Sequence, residues 1–153
     1  MRYVFLVAIL SLSACASVGQ NPELPAKVGF MIGAIDSTPK VLEQCGKYDP
    51  KLLYTYQRYG FEFEVHHQKL REITMELAER TGQITNSNRA SMTYSMNKMM
   101  KDNIDTSFGV VPDKVEFCRL TLLQCKEQKG ICTPVEERWP EQYKEIMRAS
   151  VTK

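Results

Sequence analysis

The sequence predicts an all-α fold, an up-and-down bundle of about four helices with a short C-terminal helix and two disulfides. Apolar residues recur at three- and four-residue intervals through most of the chain, which is the period of one face of a helix. Residues that start or stop helices, chiefly Asp, Ser, Pro and Gly, separate these periodic segments. Four cysteines follow Cys15, and an even number is typical of an exported domain with paired cysteines.

The first helix is predicted from apolar positions that fall on one helical face. These positions are Val28, Met31, Ile35, Leu42 and Cys45, with Thr38 in the remaining slot. Pro39 lies inside this segment and must end or kink a helix, because it has no backbone N–H to donate. Ser37 or Thr38 could cap a fresh start at that point. The segment is therefore either two short helices or one kinked helix that ends near Gly46.

The second helix is predicted to run from Asp49, a suitable N-cap, to Gly82, a suitable stop. Seven of eight positions at alternating four- and three-residue spacing are apolar or aromatic, and His66 is the exception. The eight positions are Leu52, Tyr56, Tyr59, Phe63, His66, Leu70, Ile73 and Leu77. The apolar–polar alternation of residues 61–65 suits a strand, but only a helix accounts for the whole segment. Gly60 predicts a bend or a close helix contact there.

The third helix carries a stripe of methionines, Met92, Met96 and Met99, on one face. Three thioethers on one face suit Cu(I). The same spacing is also that of a core-facing stripe, and Met commonly fills irregular cores. Packing in the core is the favoured interpretation. Copper binding by these three methionines, with or without His66, is the alternative.

A loop over residues 106–112 is predicted to separate the third helix from the fourth. Asp113 and Glu116 have the spacing of a capping box, which predicts the start of the fourth helix. Gly130 is predicted to close it.

Residues 133–136 form a second capping-box pattern, in which Glu136 is assigned to the cap. A last short helix over residues 140–150 is predicted to bury Tyr143, Ile146 and Met147.

The four later cysteines predict a topology. Cys118 and Cys125 lie seven residues apart on one helix, about 10.5 Å at 1.5 Å per residue, whereas a disulfide needs Cα atoms within about 7 Å. They therefore cannot pair. In an up-and-down bundle the end of the first helix meets the start of the fourth, which favours Cys45–Cys118 with Cys125–Cys132. Cys45–Cys125 with Cys118–Cys132 is the alternative. The wide spacing disfavours a zinc site, which needs close cysteine pairs.

The N-terminus has the layout of a secretory signal peptide. Arg2 precedes an apolar run, residues 4–10, which is shorter than the about 20 residues that span a bilayer. Leu12-Ser13-Ala14-Cys15 resembles the lipobox of bacterial lipoproteins. The alternative is an ordinary signal with a cysteine near its cleavage site.

The lipobox resemblance covers about 15 residues and implies three segments. Residues 1–14 would be the signal peptide, residues 15–24 the lipidated N-terminus and tether, and residues 25–153 the helical domain. In that family the cysteine carries diacylglycerol and an acyl chain, so Cys15 would anchor the protein to a membrane. Ala16 in place of Asp favours the outer membrane, facing the periplasm, over the inner membrane.

Composition argues against a nucleic-acid partner. The chain has 20 Lys and Arg against 18 Asp and Glu, and removal of the signal takes Arg2 away. No basic patch of the kind that binds phosphate backbones stands out.

The two histidines, His66 and His67, are adjacent. Neighbours on a helix point about 100° apart, so the pair is predicted not to share one metal ion. His66 is predicted to be a polar residue in the helix seam and His67 to be solvated. Glu64 and His67 resemble half of a di-iron bundle motif, but that site needs a second Glu-x-x-His, and this chain has no third histidine.

The sequence contains no recognisable catalytic motif, such as a phosphate loop or a nucleophile elbow. The favoured function is therefore non-enzymatic and needs no cofactor: a lipid-anchored periplasmic module that binds an envelope protein through its second and third helices. The alternatives are a copper-binding protein, an apolar small-ligand binder, and an enzyme whose site is assembled from distant residues.

Overall fold

A computed structural model describes residues 23–152. This part of the chain contains six α-helices, two 3₁₀ turns and no strand, so the all-α prediction is confirmed. The helices are α1 (Leu24–Tyr48), α2 (Leu53–Arg80), α3 (Arg89–Gly109), α4 (Lys114–Lys126), α5 (Val135–Arg138) and α6 (Pro140–Val151). The 3₁₀ turns are Pro50–Leu52 and Gly130–Cys132. The predicted signal peptide and Cys15 lie outside the described residues.

Within residues 23–152, no helix is both long enough and apolar enough to cross a membrane.

Helix α1 is the central element and contacts α2, α3, α4 and α6. It is one helix rather than two, and Pro39 lies within it. Its predicted apolar face is buried, from Val28 at one end to Cys45 at the other. Thr38, on the same face, donates a 2.8 Å hydrogen bond to the carbonyl of Ile131. This bond ties the middle of α1 to the turn after α4.

The predicted close contact at Gly60 is confirmed. A Cβ at Gly60 would lie 3.5 Å from the Cα of Pro39, so α2 approaches α1 almost backbone to backbone at this point. This approach leaves room for at most a methyl group at position 60.

The core consists of two clusters. The first contains Val28, Met31, Ile35, Phe63, Leu70, Leu77, Val135 and Ile146, among others. The second contains Leu42, Tyr56, Phe108 and Leu122 together with the four cysteines. The last helix, α6, contributes Ile146 to the first cluster as predicted, and Tyr143 and Met147 pack against it partly buried.

Both disulfides have the favoured connectivity. The Cα atoms are 5.3 Å apart in Cys45–Cys118 and 4.9 Å apart in Cys125–Cys132. The first disulfide joins the end of α1 to the start of α4, and the second closes the turn after α4. That turn contains two residues with positive φ, Gln128 and Gly130. Helix α4 itself ends at Lys126, so Gly130, predicted to close it, lies in the turn that follows rather than at its end.

The predicted caps have mixed outcomes. Asp113 does cap α4, because its carboxylate accepts a 2.8 Å hydrogen bond from the backbone N–H of Glu116. Asp49 precedes the 3₁₀ turn, but its side chain makes no capping bond. The buried Asp49 carboxylate instead accepts a 2.8 Å hydrogen bond from Nε of Arg119. A charged donor outcompetes a neutral backbone N–H for a buried carboxylate.

The loop predicted for residues 106–112 is wrong over its first part, because α3 continues to Gly109. Phe108 is buried in the second core cluster, where its ring stacks on Tyr48 and contacts Phe117 edge-on. Burial of this aromatic side chain outweighs the poor helix propensity of the segment.

Helix α3 is nevertheless only lightly packed. Phe108 is its single buried residue within the described chain. Of the methionine stripe, Met96 packs partly buried against the first cluster, whereas Met92 is half-buried and Met99 is exposed. The rest of α3 lies close to the surface, which leaves a cleft beside it.

Candidate functional site

The buried seam of α2 is not the predicted one. Seven buried positions follow the expected four- and three-residue spacing, but every second position is shifted by one residue. They are Tyr56, Gly60, Phe63, His67, Leu70, Thr74 and Leu77. Gly60, His67 and Thr74 replace Tyr59, His66 and Ile73. His67 is thus 2 % exposed, whereas His66 is exposed, the reverse of the prediction.

The physical reason for this shift is the close approach of α2 to α1 at Gly60. A small residue is needed there, and the heptad rhythm then turns His67 and Thr74 inward as well. Each of these two side chains buries a polar atom that donates a hydrogen bond to a carbonyl within α2. Thr74 donates to the carbonyl of Leu70 at 2.7 Å, and Nδ1 of His67 donates to the carbonyl of Phe63 at 2.8 Å.

The second ring nitrogen of His67 contacts another element. Nε2 accepts a 2.9 Å hydrogen bond from the backbone N–H of Val135, the first residue of α5. A backbone N–H can only donate, so Nε2 carries a lone pair and the proton is on Nδ1. Burial lowers the pKa of His67, which also favours this neutral form.

Glu136 follows Val135 and faces both histidines. Its carboxylate accepts a 2.9 Å hydrogen bond from Nε2 of His66, and its other oxygen lies 3.4 Å from Nε2 of His67. Burial opposes ionisation of Glu136, but a backbone N–H and His66 outweigh it, so the pKa of Glu136 is lowered. Glu136 therefore contacts the two histidines instead of forming the capping box to which it was assigned.

The two imidazoles lie close together, so the geometry does not forbid the shared metal ion that the helical directions of the two residues argued against. One donor atom each from His66, His67 and Glu136 lies within 4.8 Å of the others. The two rings meet edge to face with centroids 4.6 Å apart. Backbone directions 100° apart do not prevent this, because both imidazoles turn toward the same carboxylate. The carboxylate that lies beside His67 is that of Glu136 rather than that of Glu64.

Arg138 borders this cluster. Its guanidinium donates to the carbonyls of Ile131 and Thr133 and lies 4.3 Å from the ring centre of Trp139. Burial lowers the pKa of Arg138 to about 10, and its positive charge also opposes protonation of His67. The histidine cluster is thus bounded by a cation on one side and solvent at His66 on the other.

The second candidate site is a cleft bounded by α1, α2 and α3. Its larger part has a volume of about 640 Å³, and an adjoining part of about 520 Å³ shares Lys40, Glu43 and Asn97 with it. Phe61 and Val65 line the α2 side and are 64 % and 54 % exposed.

Polar side chains surround these apolar ones. In the larger part they are Asp36, Lys40, Glu43, Gln57, Glu64, Gln68, Arg71 and Asn97. Asp36 and Arg71 form a two-bond ion pair, with N–O distances of 2.8 and 3.2 Å. The cleft therefore offers exposed apolar anchors within a rim of both charges.

Copper binding by the methionine stripe stays a prediction. The methionine stripe lies on α3, and His66, its proposed helper, is hydrogen-bonded to Glu136 of α5. All four later cysteines are in disulfides, which leaves no free thiol among residues 23–152.

Neither of these sites could be assigned by similarity, since comparisons with protein-family models, curated proteins and solved structures find no match to this chain.

Proposed function

We propose that the protein is a lipid-anchored periplasmic binding module without catalytic activity. Its cleft between α3 and the α1–α2 pair receives an amphipathic helix of another envelope protein. The observation that carries this proposal is an exposed apolar stripe on α2, of which Phe61 and Val65 line the cleft.

The stripe has the spacing of one helical face. Tyr54, Phe61 and Val65 are separated by seven and four residues and are 79 %, 64 % and 54 % exposed. Aromatic side chains in pockets carry much of the energy of protein interfaces. A helix that docks into an apolar groove presents its own apolar residues at one- and two-turn spacing, which matches the spacing of these three side chains. A partner that covers Phe61 and Val65 would remove their apolar surface from water, which favours binding.

The polar rim favours a polypeptide over an apolar small ligand. Asp36, Glu43 and Glu64 lie beside Lys40 and Arg71 around the larger part of the cleft. Mixed charges of this kind orient a charged partner and set its register. An apolar ligand would leave most of these groups without a partner while taking their water away.

Light packing allows α3 to adjust to an occupant. Phe108 is its only residue buried among those described, so the N-terminal part of α3 can shift with the loss of few core contacts, chiefly that of the partly buried Met96. Tyr94 lies on this part, 69 % exposed, and lines the adjoining space. It provides an aromatic contact on the α3 wall of this adjoining part, whose other wall is formed by α1.

A lipid on Cys15 would complete this function. Two or three acyl chains hold a protein firmly at a membrane. A short tether to α1 would then keep the cleft at high effective concentration near envelope partners. Mass spectrometry of the mature protein tests this part: a diacylglyceryl group on Cys15 is expected, and an unmodified N-terminus would contradict it.

Photo-cross-linking in the native envelope tests the docking surface. A photoreactive amino acid at Phe61 or Val65 should form one discrete adduct with a partner. The same residue at Leu123, exposed on α4, is the matched control and should not form it. Equal adduct formation at Leu123, or none at Phe61 and Val65, would contradict the proposal.

A further inference from the structure

We propose that His66, His67 and Glu136 bind a divalent transition-metal ion, with Zn²⁺ as the best match. This site is separate from the cleft and independent of the proposed docking function. It joins α2 to α5, two elements whose donor residues are far apart in the sequence.

The spacing of the donor atoms fits such an ion. Nε2 of His66 and Nε2 of His67 lie 2.9 and 3.4 Å from the two oxygens of Glu136. A tetrahedral Zn²⁺ with bonds of about 2.0–2.1 Å holds its ligand atoms about 3.3 Å apart. All three donor groups have an atom within 4.8 Å of the others, so small side-chain movements suffice to bring them around one ion.

His67 is already oriented as a ligand. A metal-bound imidazole commonly donates its other N–H to a carbonyl, which fixes the ring and its tautomer. Nδ1 of His67 makes this bond with the carbonyl of Phe63 at 2.8 Å. The lone pair is therefore on Nε2, the atom that faces Glu136. A neutral ring has no proton to lose before it binds a metal.

Two hydrogen bonds compete with the metal. Nε2 of His66 donates to Glu136 at 2.9 Å, so its proton must move to Nδ1 before Nε2 can bind an ion. The N–H of Val135 occupies the lone pair of His67 at 2.9 Å, so metal binding must displace it. Val135 begins the four-residue helix α5, and a movement of this single turn releases the N–H. Metal binding is thus coupled to the position of α5, and the Val135 amide is its direct reporter.

The donor set also determines which ions are expected. Two imidazoles and one carboxylate suit Zn²⁺ and Cu²⁺, whereas Mg²⁺ and Ca²⁺ prefer oxygen ligands throughout. His66 is exposed and Glu136 is half-buried, so the site is open to solvent and an ion can enter. The nearby guanidinium of Arg138 weakens binding by repulsion, which argues for moderate affinity.

Calorimetric titration of the full chain with ZnCl₂ tests the site, using protein treated with chelator and free of a histidine tag. One ion per chain is expected, with a Kd of about 1–10 μM, consistent with a three-ligand site. Addition of MgCl₂ at about 1 mM, a large excess over the zinc, should not change the affinity for zinc, because Mg²⁺ prefers oxygen ligands throughout. The NMR signal of the Val135 amide should shift as the ion binds.

Substitutions distinguish this site from nonspecific binding. His66→Ala and Glu136→Gln should each weaken binding about tenfold or more, with circular dichroism confirming the fold. Glu137→Gln is the matched control, because Glu137 is the exposed neighbouring carboxylate, and it should bind as the unaltered protein does. No measurable binding, equal loss in Glu137→Gln, or an unmoved Val135 amide would overturn the proposal.

Discussion

The backbone N–H of Val135 donates a 2.9 Å hydrogen bond to Nε2 of His67, 68 residues earlier in the chain. Each group gives the other the hydrogen-bond partner that it needs. The first N–H groups of a helix have no partner within the helix, and a buried imidazole nitrogen needs one. This contact fixes the C-terminal segment that begins at Val135 to the middle of α2, and it places Glu136 beside both histidines.

Replacement of His67 should be costly. His67→Phe keeps a ring in the core but leaves the N–H of Val135 without a partner, whereas the carbonyl of Phe63 keeps its backbone bond within α2. A buried group without a hydrogen bond costs about 1–3 kcal/mol, so the free energy of unfolding should fall by about that amount. His66→Phe, at the exposed neighbouring position, is the control and should change it by less than about 1 kcal/mol. Urea unfolding measures both, and equal losses would contradict the assignment of His67 to the core.

Stability should also depend on pH through His67. Its pKa in the folded protein is lowered, so the unfolded chain binds a proton more readily below its ordinary pKa of about 6.5. Unfolding free energy should therefore be constant above about pH 7 and fall as the pH drops below about 6.5. The loss from Glu136, whose pKa is also lowered, begins only below about pH 4.5.

Urea unfolding between pH 7.5 and 5.0, a range of about two units around the histidine pKa, separates these contributions. His67→Gln removes the titrating ring, so its unfolding free energy should vary less across this range than that of the unaltered protein. An identical slope in both proteins would show that His67 does not cause the pH dependence.

The helices and the disulfides were predictable because they follow from local periodicity and from simple topology. The rotation of α2 was not, because it depends on the contact between Gly60 and Pro39 of another helix. A pattern of hydrophobicity selects Tyr59 and Ile73 as buried, but close packing selects the smaller neighbours. The histidine cluster was missed for the same reason. The adjacent His66 and His67 marked the right segment, yet nothing local points from His67 to Val135 or Glu136.

The close contact at Gly60 gives a test of this packing. A Cβ there would lie at ordinary contact distance, 3.5 Å from Pro39. Gly60→Ala should therefore stabilise the protein by about 0.5–1 kcal/mol, through reduced freedom of the unfolded chain. Gly60→Leu should destabilise it by about 1–3 kcal/mol, because the larger side chain forces α2 away from α1. Thermal unfolding distinguishes the two, and tolerance of Leu would contradict the close approach.

A different outcome is expected at Gly130. This residue has a φ of +61°, and a Cβ would overlap the side chain of Gln124. Gly130→Ala should lower the free energy of unfolding by about 1–2 kcal/mol, and thermal unfolding measures the loss. A gain in stability would show that the turn after α4 differs from the one described.

The two disulfides should contribute unequally. Cys45–Cys118 closes a loop of 73 residues, whereas Cys125–Cys132 closes one of 7. Loop entropy predicts losses of about 4 and about 2 kcal/mol on their removal. Paired Cys→Ala variants, compared by urea unfolding, should keep this order. A larger loss from the Cys125/Cys132 pair would contradict it.

The central claim is that the exposed stripe on α2 and helix α3 together bind another protein. The most direct measurement places a cross-linking probe on α3 and changes the residues on α2. A photoreactive amino acid at Tyr94 should form an adduct in the native envelope. Phe61→Asp with Val65→Asp should abolish the adduct, although both lie on a different helix. Leu120→Asp with Leu123→Asp, a similarly exposed pair on α4, should leave it unchanged. Persistence of the adduct in the α2 variant, or its loss in both variants, would contradict docking in the cleft.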